Sequence, residues 1–432
     1  MAVVTVTVDK SRAVGPIKPM HCVNNFPGMR DTFNDLYADL GSPYARLHDT
    51  AHMVDHLVDI HCVFPDFDAD ENDEASYDFS FTDYYIKKLH DLGTKAFYRL
   101  GESIENYCAI KRYHTYPPRD FEKWARICEH IILHYNEGWA NGFHFDLDYW
   151  EIWNEPENYE EIEKNQMWGG TFEEYLKLYE IAANHLKKRF PHLKIGGYGS
   201  CGFYAIRQGE YAEAAHISPR KQYHTDCAER FLSYISSPEH KAPLDFFSYH
   251  SYAALSQNLL FARYGRQLLD KYGFTDTETN LDEWNPGREE RGTLLDASNV
   301  IANMLALQNE PLDMMMYYDF RFCSYCGAFD YGGPLKTYYA FKAFAALYAL
   351  KTQVECRVES SVDGVYAVAA SNGDEGALVI ANNSKEAVSH ALLCGITPKE
   401  AYLLGRRHDL ARVATPTDAV RLEAFETMLI KF

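Results

Sequence analysis

The chain has 432 residues, 47% of them hydrophobic and 24% charged, with a formal net charge of −20. Such a chain can bury one large core and a smaller one, and its acidity argues against nucleic acid or anionic membrane as a partner, since both need a basic footprint. No apolar run is long enough to cross a bilayer, the opening MAVVTVTVDK lacks signal-peptide features, and ten cysteines follow no framework spacing, so a cytoplasmic protein with reduced thiols is expected.

Residues 2–9, A-V-V-T-V-T-V-D, alternate with a period of two and predict a strand. Next comes an apolar segment at 19–24, closed by Asn24-Asn25 and Pro27-Gly28. From there strand-like and helix-like stretches alternate. Helices are expected at 29–40, 83–92, from about 119, and at 172–186, 225–235, 259–272, 293–307 and 336–350. Between them strands are expected at 44–48, 95–100, up to Glu155, at 193–197, at 244–250, into Glu283 and at 313–320.

Strict alternation requires parallel strands joined by crossover helices. Eight such units predict an α/β fold, a (β/α)8 barrel with its site at the carboxyl ends of the strands. A doubly wound sheet is second, because no Gly-rich phosphate loop follows an early strand. Beyond residue 350 the texture becomes short strands and turns. The expected organisation is a barrel over 15–350 and a smaller β-sandwich domain formed from both termini, with 1–14 joining 351–432.

Two stretches carry chemistry. Tyr149 to Glu157 reads Y-W-E-I-W-N-E-P-E, an apolar run ending at Asn154 and Glu155, with Pro156 unable to extend a ladder. Leu281 to Gly287 reads L-D-E-W-N-P-G and again sets a glutamate, Glu283, beside Trp, Asn and Pro. Paired strand-end carboxylates suit glycosidic-bond cleavage, in which one protonates the leaving oxygen and the other attacks or stabilises the anomeric carbon. The competing reading of Glu155 and Glu157 as solvated loop charges is weakened by the matching second motif. Two-residue alternation places Asp282 on the face opposite Glu283, and Glu278 deeper in the barrel or at its base.

The two motifs resemble the acid/base and nucleophile strands of clan A glycoside hydrolases, and the whole layout resembles glycoside hydrolase family 39, the β-xylosidase and α-L-iduronidase family. That resemblance implies a retaining double displacement without a cofactor, Glu155 as acid/base on the fourth strand and Glu283 as nucleophile on the seventh. It also implies substrate-binding roles for Arg46, His250 and Tyr252, to which the residues themselves add Asn154, placed to hydrogen-bond a sugar 2-hydroxyl, His48 on a loop lining the cleft, and Trp284. Arg46 would hold the nucleophile anionic, though a structural salt bridge is the alternative, and His250 could instead be a core histidine satisfied by the backbone. Tyr98, Glu102, Tyr318, Asp319 and Arg321 also end strands.

An acid/base glutamate is expected in a dry pocket, helped by Trp153, with a raised pKa. A β-xylosidase-like exo-glycosidase leads. Arabinosidase, glucosidase, galactosidase, uronidase and a catalytically silent carbohydrate-binding protein remain open. The partner is then a glycoside or oligosaccharide, with a homo-oligomer possible. His48, His52 and His56 recur every four residues, but a strand end at His48 breaks helical register, so no metal is expected there. Cys323-Ser324-Tyr325-Cys326 is a lone C-x-x-C without a second pair and reads as loop thiols.

Overall fold

The computed structural model describes residues 2–28, 31–50, 57–104, 114–206 and 217–432. Strand β1 (Ala2–Pro16) precedes the first barrel strand, β2 (Cys22–Asn24), and the short helix α1 (Asn34–Ala38) follows. Then come β3 (Tyr44–Leu47), α2 (Ile60–Val63), α3 (Ser80–Asp91), β4 (Lys95–Leu100), α4 (Phe121–Asn136), β5 (Tyr149–Ile152) and α5 (Phe172–Arg189). The series continues through β6 (Lys194–Ser200), α6 (Pro219–Ser236), β7 (Phe246–Ser251), α7 (Leu255–Lys271), β8 (Glu278–Trp284), α8 (Leu294–Leu307) and β9 (Met314–Tyr317).

Strands β2 to β9 form a closed barrel in chain order, the (β/α)8 architecture that the alternation predicts. Strands β5, β7 and β9 are buried throughout, because inward side chains fill the barrel while helices cover the outside. Helix α5 starts on a capping box, in which Thr171 Oγ accepts from the Glu174 amide (3.2 Å) and Glu174 Oε2 accepts from the Thr171 amide (2.8 Å). Helix α6 begins six residues earlier than 225–235 predicts. Ser218 caps it and Pro219 occupies its first turn, where a missing N–H costs nothing.

The chain packs as two compact units, one of Tyr44–Ser251 with Leu260–Glu283, the other of Met1–Pro43, Tyr252–Leu259 and Trp284–Phe432. The first holds strands β3 to β7 and most of β8. In the second, the hairpin strands β10 (Phe329–Asp330) and β11 (Gly333–Pro334) precede α9 (Lys336–Tyr348). Strands β12 (Thr352–Ser360), β13 (Val365–Ser371), β14 (Gly376–Asn382), β15 (Val388–Cys394), β16 (Glu400–Gly405), β17 (His408–Val413), β18 (Ala419–Leu422) and β19 (Thr427–Lys431) complete the chain.

These eight and β1 make one nine-stranded sheet in the order β17-β16-β19-β14-β13-β12-β1-β15-β18. Strand β1 runs antiparallel to β12 and parallel to β15. Val4, Val6 and Val8 enter the same core as Leu378 and Ile380 from mid-sheet, Ala401 near one edge and Leu422 at the other. Residues so far apart along a sheet share one core only if the sheet curls over itself, which gives the two faces of a sandwich. Helices α8 and α9 pack against it. Ser298 Oγ donates to Asn383 Oδ1 (3.1 Å), and Lys336 Nζ donates to the carbonyls of Gly405 (2.7 Å) and His408 (3.0 Å).

Candidate active site

At the carboxyl end of β5 the backbone leaves the ladder through two left-handed residues, Trp153 (φ 73°) and Glu155 (φ 43°). Such conformations are costly away from glycine and persist where the surroundings hold them. Here the Trp153 amide donates to the Leu100 carbonyl (2.7 Å) and the Glu155 amide to the Gly199 carbonyl (3.0 Å). Gly199 is itself left-handed (φ 61°), and a Cβ there would sit 3.0 Å from Arg46 Nη2 and 3.1 Å from Asn154 Oδ1. A side chain at Gly199 would crowd these two groups and would have to adopt a left-handed backbone that glycine alone takes without strain.

Glu155, His250 and Glu283 converge, each offering a ligand-type atom within 4.8 Å of the others. His250 Nδ1 lies 2.7 Å from Glu155 Oε1 and 3.4 Å from Glu283 Oε2. Asn158 Nδ2 donates to the second Glu155 oxygen (2.6 Å), while Asn158 Oδ1 accepts from Arg220 Nη2 (3.1 Å). Arg46 is buried and works as a fork. Nη1 donates to Glu283 Oε1 (3.0 Å), Nη2 to Asn154 Oδ1 (2.5 Å), and Nε faces Glu151 Oε2 (2.7 Å) and Asp282 Oδ2 (3.0 Å). His48 Nε2 stands 3.9 Å from Glu283 Oε1. Thus five of the residues expected from the sequence gather around Glu283 in one compact unit: Arg46, His48, Asn154, Glu155 and His250.

The others fall elsewhere. In the second unit the indole of Trp284 is 1% exposed and edge-on to Tyr317 at 5.4 Å, while Tyr252 is 41% exposed. Asp319 is buried and paired with Arg321 Nη2 (2.6 Å). Tyr98 is buried and donates its hydroxyl to the Val58 carbonyl (3.1 Å). His52 and His56 lie outside the described residues. Glu278 opens β8 at the amino end of the strands and accepts from the Tyr149 hydroxyl (2.8 Å).

Two expectations are corrected. For Asp282 the correction is one of role: expected to point away from Glu283, it nonetheless engages the same guanidinium. Its planar fork presents separate donor edges, and Nε takes one carboxylate while Nη1 takes the other. The carboxyl of Glu155 is not raised. Burial pushes it up, but the hydrogen bond and charge of His250, then Asn158, outweigh burial and leave it at about 2. Trp153 is buried, its Nε1 donating to the Met167 carbonyl (2.8 Å) and its ring packed edge-on to Trp168. His250 rises to about 9: burial lowers it, but Glu283, Glu155 and Asp282 prevail. At neutral pH the proton of this coupled group therefore resides on the imidazole.

The sequence reading missed Glu151, Ser248 and Asn158. Glu151 is buried and accepts from Ser248 Oγ (2.6 Å) as well as facing Arg46. Its signal was legible as a lone carboxylate within the apolar run Y-W-E-I-W, where only a buried cation could keep it. Glu157, also buried, accepts from Ser200 Oγ (2.9 Å) and the Cys201 amide (2.8 Å), both neutral donors. Burial first, and the neighbouring Glu155 charge, leave it at about 7 despite those donors. Its folded pKa lies above the unfolded ~4.3, so its contribution is complete below that value and lost as pH rises to about 7. Replacing Glu157 with Gln should make the melting temperature fall less between pH 5 and pH 8 than in the parent; an unchanged slope in thermal scans would refute this.

The sequence matches the family model of glycosyl hydrolases family 39 over residues 4–305. The chain belongs to that family. It is 25% identical to a β-xylosidase of Caldicellulosiruptor saccharolyticus over 358 residues, covering 72% of this chain and 65% of that protein. It is 23% identical to a β-xylosidase of Geobacillus stearothermophilus over 272 residues, covering 60% and 51%. The chain therefore spans roughly half to two thirds of the length of these curated relatives. Among solved structures, a glucosidase from Croceicoccus marinus superposes with a TM-score of 0.76 at 20% identity, covering 99% of this chain and 98% of that one. A monomeric β-xylosidase from Caulobacter crescentus gives 0.68 at 16%, covering 99% of each. These two likenesses establish the shared fold. Among the described residues no helix is long and apolar enough to cross a membrane.

Proposed function

We propose that the protein is a retaining glycoside hydrolase of β-xylosidase type, with Glu155 as acid/base and Glu283 as nucleophile. The observation that carries the reading is the approach of the two carboxylates to within 4.8 Å across His250, at the ends of β5 and β8. A retaining pair stands about 5–5.5 Å apart, whereas an inverting pair leaves about 6.5–9.5 Å for a water. Glu283 is held by Arg46 as an anion ready to attack. Asn154, its Oδ1 occupied by Arg46, keeps its amide hydrogens to donate to a sugar hydroxyl oxygen and so fixes the ring against the two carboxylates. The choice of xyloside rests on the named activity of the two curated relatives.

A panel of nitrophenyl glycosides tests the substrate, with xyloside expected to turn over fastest against arabinosides, glucoside, galactoside and glucuronide. Proton NMR of the first-formed sugar tests the mechanism, since an inverted anomer would reject retention.

In this reading the Glu155–His250 pair carries one proton, which the glycosidic oxygen draws through Glu155. The free enzyme should then lose kcat/KM as pH rises through about 9, the value of His250. His250→Gln removes that cation, and Glu155 must hold the proton itself, raised by burial and by Glu283. The alkaline limb should move down toward about 6, where buried catalytic glutamates titrate. A limb that stays in place in the variant would separate His250 from the proton.

A further inference from the structure

We propose that His61, Glu102 and His114 form a second, separate site, one that binds a divalent transition metal of the zinc class. Each offers a ligand-type atom within 4.8 Å of the others, and two imidazoles with one carboxylate are a zinc donor set that leaves a fourth position open. Around a zinc ion, ligand atoms about 2.0–2.2 Å from the metal stand roughly 3.3 Å from one another, so small movements close the set. His61 and Glu102 bond to each other, and His61 to Cys62, rather than to the group around Glu283.

The cluster is built from three chain segments, each fixed independently of any ion. His61 lies on α2, whose first amide donates to the Gly101 carbonyl (3.1 Å). The preceding Asp59 clamps the same helix to the end of β4. Its carboxylate accepts from the Ser103 amide (2.7 Å), Ser103 Oγ (2.9 Å) and Arg99 Nη2 (2.5 Å). Glu102 follows β4, is 5% exposed, and accepts the His61 amide on Oε1 (3.2 Å). Thr115, beside His114, accepts from the Gly169 amide (2.9 Å).

Two details favour a cation over an ordinary ion pair. His61 Nε2 faces Cys62 Sγ at 3.3 Å, while Nδ1 faces Glu102 Oε2. If Nε2–H donates to the sulfur, Nδ1 presents a lone pair to a carboxylate oxygen, an arrangement that needs positive charge between them. A proton would serve for those two groups alone. The His114 ring, however, stands edge-on to His61 with centroids 3.6 Å apart. A second imidazole pressed against that polar edge adds a second nitrogen donor, which a metal uses and a proton does not.

The test is zinc binding to untagged, chelator-treated protein, measured by titration against a chromophoric chelator. The parent should take up a tight equivalent of Zn2+ that His114→Ala weakens at least tenfold. His114→Cys, which supplies another zinc ligand, should retain it, and with Co2+ should add a thiolate charge-transfer band. Glu155→Gln should bind as the parent does, which separates this site from the Glu155, His250 and Glu283 group. If His114→Ala does not fold by circular dichroism, Glu102→Gln and the Co2+ spectrum of His114→Cys decide. Absence of tight zinc in the parent, or loss of it in Glu155→Gln with retention in His114→Ala, would overturn the proposal.

Discussion

Glu283→Ala should abolish hydrolysis of activated and unactivated glycosides alike. The side chain it removes is the one that Arg46 holds at 3.0 Å and His250 at 3.4 Å, and without it no glycosyl-enzyme bond can form. Because the whole covalent route is lost, the fall in kcat should be large for every leaving group, roughly 10⁴-fold or more, as when a nucleophile is deleted elsewhere. Added azide can occupy the vacated space and attack the anomeric carbon directly from that face. The product should then be a glycosyl azide of inverted configuration. Folding can be checked separately, because Arg46 keeps Glu151 and Asp282 as partners. A variant that retained turnover on dinitrophenyl substrates would exclude Glu283 as the nucleophile.

Glu155→Ala should behave differently, and the difference lies in the leaving group. A departing phenolate of low basicity needs little protonation, so its glycoside should react nearly as in the parent up to the covalent intermediate. Unactivated glycosides should slow by about 10²–10⁴-fold, the usual worth of a positioned proton donor. Deglycosylation also loses its base, so the intermediate should accumulate with activated substrates and appear as a burst of nitrophenol. Azide should relieve that block by attacking the intermediate and give a product of retained configuration. The loss of Glu155 also removes a 2.7 Å partner of His250, so the imidazole should titrate below its parent value. If the two variants showed the opposite leaving-group pattern, the roles of the glutamates would be exchanged.

What was legible in the sequence was what local chemistry dictates. The spacing of apolar residues predicted 95–100 as a strand, and β4 spans Lys95–Leu100. The start of α5 at Phe172 follows from Thr171 and Glu174, a capping pair separated by only three residues. The abrupt ends of Y-W-E-I-W-N-E-P and L-D-E-W-N-P singled out Glu155 and Glu283, because a strand that stops at proline presents its last polar side chains at a rim. Alternation of strand and helix over eight units leaves a parallel barrel as the closed solution, and that too is a property of order along the chain.

Other features depend on groups distant in sequence. Arg46 meets Glu151, Asp282 and Glu283, and no periodicity in any one segment announces that four charges from three strands will share a dry interior. The protonation state followed the same rule. Burial and the Glu283 charge argued for a raised Glu155, but His250, brought from 95 residues away, reverses the sign. Aspartate 282 and Glu283 diverge by strand geometry yet share a guanidinium because its donor edges diverge as well. The chain dictates which residues stand at strand ends; only closure of the barrel decides which charges face each other there, because Coulomb interaction in a water-poor interior is set by distance in space.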